Sequence, residues 1–189
     1  MLPEHTRLSA ICNSNMIIRK ASENDLQTIH EMAEVVFRYT YKDILSPEQM
    51  EYMMDWMYSL PNLRQQLSDG HVYYIASSDD GPCGYLSIQK EGLDVQGIMV
   101  YHLQKIYVMP SEQGKGLGRL LFDKALSHVR TSGLNSRIEL NVNRNNKAVS
   151  FYRHLGMSVL RQGDFHIGNG FYMNDYIMGI DVPVTALTI

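Results

Sequence analysis

One short stretch of the chain decides its fold: Gln113-Gly114-Lys115-Gly116-Leu117-Gly118-Arg119. It lies between an apolar run, 99–109, that predicts a strand and a segment, 116–131, whose apolar residues recur at helical spacing. Glycines let a backbone approach a ligand closely and turn its N–H groups toward one point. The N-terminus of the following helix adds partial positive charge. The stretch therefore predicts a binding site for a pyrophosphate, to which Lys115 and Arg119 can add charge.

Three other interpretations of these glycines are possible. A dinucleotide-binding fingerprint needs Gly-x-Gly-x-x-Gly, but Arg119 stands where its last glycine should be. A P-loop needs Ser or Thr after Gly-Lys, but Gly116 follows Lys115. A tight turn that binds no ligand is the remaining alternative, and three glycines in five residues argue against it.

The pattern Gln-x-x-Gly-x-Gly, preceded by Val108-Met109-Pro110, resembles the coenzyme A pyrophosphate loop of the GNAT (Gcn5-related N-acetyltransferase) family. Asn145-x-x-Ala148-x-x-Phe151-Tyr152-x-x-x-Gly156-Met157 is similar to the second signature of that family, and the resemblance covers roughly residues 99 to 160. It implies acetyl-CoA as co-substrate. The implied coenzyme-binding residues are Ile106, Val108, Gln113, Gly114, Lys115, Gly116, Leu117, Gly118, Arg119, Asn145 and Tyr152.

The order of predicted elements is helices, hairpin, strand, helix, strand, helix, hairpin, which indicates an α/β (α+β) fold with one mixed sheet. The resemblance implies the GNAT fold, a mostly antiparallel sheet of about six to seven strands covered by helices on both faces. We expect a single domain over 16–182, preceded by a flexible extension, 1–15. The turn at Thr40-Tyr41 and the run Asn174-Asp175-Tyr176 also resemble bacterial family members related to spermidine/spermine acetyltransferases.

Composition excludes several classes of protein. The 189 residues suit one domain, and a net charge of −3 without a Lys/Arg run argues against nucleic-acid binding. No apolar stretch approaches a membrane span, and residues 1–15 lack the apolar core of a signal peptide, so we expect a cytoplasmic protein that binds no membrane. The two cysteines and seven histidines show no ligand spacing, so no metal is predicted.

Acetyl transfer to an amine requires loss of a proton from the amine, stabilisation of an oxyanion and protonation of the leaving thiolate. The resemblance places the thioester near the end of the 99–109 strand, where the backbone N–H of Val108 can bond the acetyl carbonyl. It also assigns to Tyr152 the role of proton donor to the coenzyme A sulfur. The alternative for Tyr152 is a core aromatic residue on a short helix.

The candidate for the base is His102. Many family members have Glu eleven residues before the loop, and here that position is histidine, whose ordinary pKa lies close to working pH. A half-buried strand histidine without catalytic function is an equal alternative. Glu139 and Asn141 are weaker candidates.

For the acceptor, the resemblance indicates a position over the first two helices and the last hairpin. The predicted substrate-binding residues there are Glu34, Tyr39, Tyr41 and Tyr176. Acidic side chains would attract a cationic amine, although solvated helix faces explain most of them equally well. We therefore predict an N-acetyltransferase that acts on a primary amine, a small molecule or a polyamine, by direct attack in a ternary complex. A protein or peptide acetyltransferase and a non-catalytic acyl-CoA-binding domain are the alternatives, and a homodimer is left open.

Overall fold

The computed structural model describes residues 16–184. They form one mixed sheet of seven strands, and five α-helices cover its two faces, as the sequence predicted. The strands are β1 Ile17–Lys20, β2 Val72–Ser78, β3 Gly81–Leu93, β4 Met99–Val108, β5 Ser136–Asn143, β6 Ser158–Gly168 and β7 Phe171–Val182. The helices are α1 Leu26–Tyr41, α2 Pro47–Tyr58, α3 Leu60–Ser68, α4 Leu117–Arg130 and α5 Ala148–His154. The predicted extension, 1–15, lies outside the described residues.

The sheet consists of two antiparallel blocks. Its strand order is β1-β2-β3-β4-β5-β7-β6, and every neighbouring pair is antiparallel except β4 and β5. These two strands run parallel and pair only from Met99–His102 to Ser136–Glu139. Beyond His102 they diverge and leave an open cleft between the blocks.

A bulge in β4 accompanies this divergence. Ser87 pairs with Lys105 and Ile88 with Leu103, so Gln104 has no partner on β3. A bulge bends its strand and increases the local twist. It also changes which face the following side chains occupy: Leu103 packs in the core under α4, whereas Tyr107 packs in the core under α1. The strict alternation of a regular strand would have placed both on one face.

Each face of the sheet has its own core. The α4 face is filled by residues of α4, α5 and the sheet, including Leu121, Phe122 and Ile138. The α1 face is filled by residues of α1, α2 and α3, including Ile29, Phe37 and Tyr58.

Serine and proline begin α2, where the Ser46 hydroxyl accepts from the N–H of Gln49 at 3.1 Å. None of the helices within 16–184 has the length and apolarity that a membrane crossing would require.

Candidate active site

The predicted pyrophosphate loop connects β4 to α4 and has the backbone shape of an anion site. Gly114 and Gly116 have φ of 76° and 89°, a region that residues with a side chain rarely adopt, and Gly116 is the N-cap of α4. A Cβ built on either glycine would meet no atom within 4 Å, so the space above both is open. Gly118 differs, because its Cβ would lie 3.1 Å from Cζ of Phe151. That glycine allows α4 and α5 to pack closely.

The N–H groups of the loop are free to bind an anion. Within residues 16–184, the backbone N–H groups of residues 114–118 donate no hydrogen bond, and the first bonds of α4 run from Arg119 and Leu120 to the carbonyl of Gly116. Five consecutive donors at a helix N-terminus provide the geometry that phosphate oxygens need. The side chain of Gln113 donates to the carbonyl oxygen of Val108 at 3.1 Å and so fixes the loop to the end of β4.

The two cations of the loop are exposed and paired with neighbouring carboxylates. Lys115 Nζ lies 3.1 Å from Glu112, and Arg119 Nε lies 3.4 Å from Asp123. Exposed pairs of this kind contribute little to stability, so both side chains can exchange a carboxylate for a phosphate at small cost. Their predicted contribution of charge to a pyrophosphate site stays a prediction.

The end of β4 offers unpaired backbone groups to the cleft. The N–H of Met109 donates to the carbonyl of Cys83 on β3 at 2.9 Å. Because successive N–H groups of a strand point in opposite directions, the N–H of Val108 points away from β3, toward the diverging β5. Ile106, which is two residues earlier, has the same orientation. These are the two strand residues predicted to contact the coenzyme.

A cavity of about 910 Å³ passes through the cleft between β4 and β5. Its walls include the glycine loop and Asn145 on one side and the end of α1, with Tyr39 and Tyr41, on the other. The predicted coenzyme-binding residues therefore share one cavity with two of the predicted acceptor-binding residues. Lys115 and Leu117 are absent from its walls, although they belong to the same loop.

Tyr152, on α5, faces this cavity from the wall that Asn145 and Phe151 also form. Its side chain is 7% exposed. Burial, followed by the nearby Tyr41, raises the pKa of Tyr152 above the ordinary phenol value. The hydroxyl therefore carries its proton at neutral pH and can give it to a thiolate that forms beside it.

Tyr41, at the end of α1, lines the same cavity as Tyr152. Its pKa is raised by burial, while the side chains of Tyr107 and Asn146 lower it. Tyr107 and Asn146 also line the cavity, so three polar side chains from α1, β4 and the segment after β5 meet where the two strands diverge. The sequence predicted a site role for Tyr41 but for neither of its two neighbours.

His102 lies elsewhere. It does not line the cavity, and its Nδ1 lies 3.5 Å from a carboxylate oxygen of Glu91 on β3. Burial lowers the pKa of His102, and the carboxylates of Glu91 and Glu139 oppose that effect. Glu139 pairs in register with His102 and accepts from Arg161 at 3.0 Å. The base assignment of His102 stays a prediction, and this geometry gives it no contact with the cleft.

Two further predicted residues also lie outside the cavity. Glu34 accepts a hydrogen bond from Arg38 at 2.7 Å, and Arg38 also binds Glu51. The Glu34 carboxylate is therefore already paired with a guanidinium. Tyr176 packs against the core of the α4 face. Asn141, one of the weaker candidates, does line the cavity.

A buried polar cluster under α3 was not predicted from the sequence. Lys105 is 5% exposed and donates to the amide oxygen of Gln66 at 2.7 Å, which also accepts from Tyr73 at 2.5 Å. The ammonium lies 5.6 and 5.5 Å from the ring centres of Tyr58 and Tyr73. Burial lowers the pKa of Lys105 to about 7. The bulge at Gln104 puts Lys105 on this face, and no sequence signal reveals it.

Comparison with known proteins agrees with this geometry. The family model described as Acetyltransferase (GNAT) family matches residues 29–157. The chain belongs to the GNAT family. It is therefore an N-acetyltransferase that uses acetyl-CoA, as the sequence predicted.

Individual relatives extend the match over most of the chain. An uncharacterized N-acetyltransferase in the pepI 3' region of Lactobacillus delbrueckii subsp. lactis is 27% identical over 159 residues, which cover 80% of this chain and 90% of that protein. The PaiA N-acetyltransferase of Thermoplasma acidophilum, solved in complex with coenzyme A, has a TM-score of 0.69 and 26% identity and covers 87% of this chain and 98% of its own.

A second similar structure is yncA of Salmonella typhimurium with its cofactor acetyl-CoA, at TM-score 0.61 and 21% identity, covering 92% of this chain and 97% of its own. At that identity the likeness shows the fold alone. None of the three names spermidine or spermine, so the comparisons support the family and not that subtype.

Proposed function

We propose that this GNAT enzyme transfers acetyl from acetyl-CoA to a small primary amine that enters the cleft from the α1 side. The observation that carries the proposal is the single cavity of about 910 Å³ between β4 and β5. The glycine loop lines one end of it and the end of α1 lines the other. Both substrates can therefore meet inside it, and the amine can attack the thioester directly in a ternary complex.

Each part of the coenzyme has a matching group. The five free N–H groups of residues 114–118 suit the pyrophosphate. The unpaired edge of β4 suits the extended, amide-containing arm, which can bond to it as an added strand would. The N–H of Val108 then donates to the acetyl carbonyl and stabilises the oxyanion as the amine attacks.

Tyr152 completes the reaction as the acid. Its buried phenol stays protonated until a thiolate forms beside it, and the proton then passes to sulfur. Among residues 16–184 the one cysteine is Cys83, which is 4% exposed and lies in the α4-face core rather than on the cavity wall, so no described cysteine can form a covalent acetyl-enzyme there. This favours direct transfer over a two-step route.

The acceptor side favours a small amine over an extended peptide. The β6–β7 hairpin is fixed to α2, because the Tyr52 hydroxyl donates to the carbonyl of Ile167 at 2.6 Å and Gln49 donates to the carbonyl of Tyr172 at 2.9 Å. An extended chain needs an open groove, and this contact bridges the hairpin and the helix between which such a groove would pass.

Two measurements test the proposal. Calorimetry should show that the protein binds acetyl-CoA but neither ATP nor NAD. Coenzyme A release should then be followed with four classes of acceptor: polyamines, amino acids, aminoglycosides and short peptides. Turnover with small primary amines that exceeds turnover with peptides supports the proposal. A protein that binds no acetyl-CoA, or one that acetylates only peptides, contradicts it.

A further inference from the structure

Asp175 is a buried carboxylate on the acceptor face of the sheet. It lies on β7 and pairs in register with Asn143 of β5. Its neighbours Tyr176 and Met178 belong to the α4-face core, whereas Asp175 shares the face of β5 that carries Asn141 and Asn143. It is 3% exposed. The carboxylate therefore lies beneath α1, on the side from which the acceptor enters.

The carboxylate lacks the partners that a buried charge normally has. Oδ2 accepts one long hydrogen bond, 3.3 Å, from the Asn141 amide, while Oδ1 has no hydrogen-bond partner among residues 16–184. Buried carboxylate oxygens are rarely left in this state, and such an atom requires an explanation. A ligand that supplies the missing donor is one explanation.

The charged and titratable groups around Asp175 come from four elements. Arg144, after β5, is close enough for its charge to lower the pKa of Asp175, but its guanidinium is hydrogen-bonded to Asp164 of β6. From α1, Tyr41 is close enough for the Asp175 carboxylate to raise its pKa, and Tyr107 of β4 lies beside Tyr41. Burial raises the pKa of Asp175, and Asn141 and Arg144 oppose the rise only in part. In its position the group is thus a stronger base than an ordinary aspartate.

The carboxylate lies directly behind the acceptor end of the cavity. Asn141, its hydrogen-bond donor, lines the cavity, and so does Tyr41. Asp175 itself does not line the cavity, and Asn141 is the residue that connects its carboxylate to the cleft. For Oδ1 to reach a ligand there, the Asn141 side chain must move aside.

We propose that Asp175 receives the acceptor ammonium and takes its first proton. This rests on the proposed function and gives the acceptor class as cationic primary amines. One N–H bond of the ammonium breaks and an O–H bond forms on Asp175. The nitrogen lone pair then forms the C–N bond to the acetyl carbon, and the C–S bond breaks. The thiolate takes the proton of Tyr152, which recovers one from the nitrogen, and Asp175 later releases its proton to water.

The test compares Asp175→Asn with Asp181→Asn, the same substitution at an exposed position of the same strand. Asp175→Asn keeps the shape of the side chain but cannot accept the proton. We expect its acetyl-CoA affinity to stay within about twofold of wild type, while kcat/KM for a reactive amine falls by about 100-fold or more, the usual scale of a lost general base. The rise of kcat/KM with pH on the acid side should disappear. Asp181→Asn should change neither quantity.

Thermal melts separate this role from a purely structural one. A neutral amide in place of a buried, unpartnered carboxylate should leave Tm unchanged or raise it. An Asp175→Asn protein that melts lower, or fails to fold, would show that Asp175 holds the fold and would overturn the proposal. So would kcat/KM within about threefold of wild type, or a pH profile that keeps its acid limb. Failure of the wild-type protein to bind acetyl-CoA would instead overturn the proposed function itself.

Discussion

Gly116→Ala is the sharpest test of the coenzyme loop, because its two effects can be separated. Gly116 has φ of 89°, and an L-residue in a left-handed conformation costs about 1–2 kcal/mol. For a chain of this size, 1 kcal/mol shifts Tm by about 2–4 °C, so we expect a fall of about 2 to 8 °C. No atom lies within 4 Å of the new Cβ, so no clash within the protein adds to the strain.

The second effect falls on the ligand. A methyl group on Gly116 would project into open space beside the free N–H groups of the loop, and we expect it to hold a pyrophosphate away from them. We expect acetyl-CoA affinity to weaken at least about tenfold, which corresponds to about 1.4 kcal/mol. Calorimetry measures this directly on the folded variant.

The matched control is Gly70→Ala, at the end of α3. Gly70 has φ of 92° and open space around its Cβ, but it lies outside the cavity. The two variants should lose similar stability, and only Gly116→Ala should lose acetyl-CoA binding. Equal coenzyme affinity in both would refute the assignment of the pyrophosphate to this loop. Gly118 is less suitable, because a Cβ there would press on Phe151, next to Tyr152.

Three further predictions concern single side chains. Tyr152→Phe should keep acetyl-CoA affinity and lower kcat by about ten- to a thousandfold, and steady-state kinetics with unchanged kcat would show that Tyr152 is structural. His102→Ala should lower kcat/KM less than about tenfold and keep the acid limb of the pH profile, because the ring faces Glu91 outside the cavity. Loss of that limb would restore His102 as the base. Asp25→Asn should cost about 1 kcal/mol near pH 7, because it weakens the capping box with Ser22 and removes the ion pair with Arg19. Arg19, followed by the N–H of Ser22, holds the Asp25 pKa well below its usual range, so this stability exists above pH 4 and is lost as pH falls further. Melts of both proteins from pH 7 to 2 should converge, and a constant gap would contradict the assignment.

The sequence was informative where local chemistry determines structure. Three glycines between an apolar strand and an amphipathic helix predict the loop, and Ser46 with Pro47 predicts the start of α2. Such signals depend on neighbours along the chain. Tyr152 could be located because the second family signature covers its helix.

What the sequence did not predict depends on contacts between distant strands. The bulge at Gln104 arises from pairing with β3, and it alone brings Lys105 beneath α3. The position of Asp175 beside Asn141 requires the register of β5 with β7. Spacing along the chain suggests His102 as the catalytic base, but it does not show that β4 and β5 diverge only beyond this residue. A residue's distance along the strand from the loop does not reveal where two strands diverge.

The single parallel junction between β4 and β5 has a consequence for how the enzyme opens. Within the sheet, a ladder of four residue pairs joins an N-terminal block, 17–108, to a C-terminal block, 136–182, whereas each block is held internally by longer antiparallel ladders. Local unfolding follows such boundaries, so the blocks are expected to be separate cooperative units in hydrogen exchange. A coenzyme bound to β4 and α5 would contact both blocks and would stabilise the junction between them while it is bound. Hydrogen exchange at the β4–β5 junction should therefore slow when the coenzyme is bound.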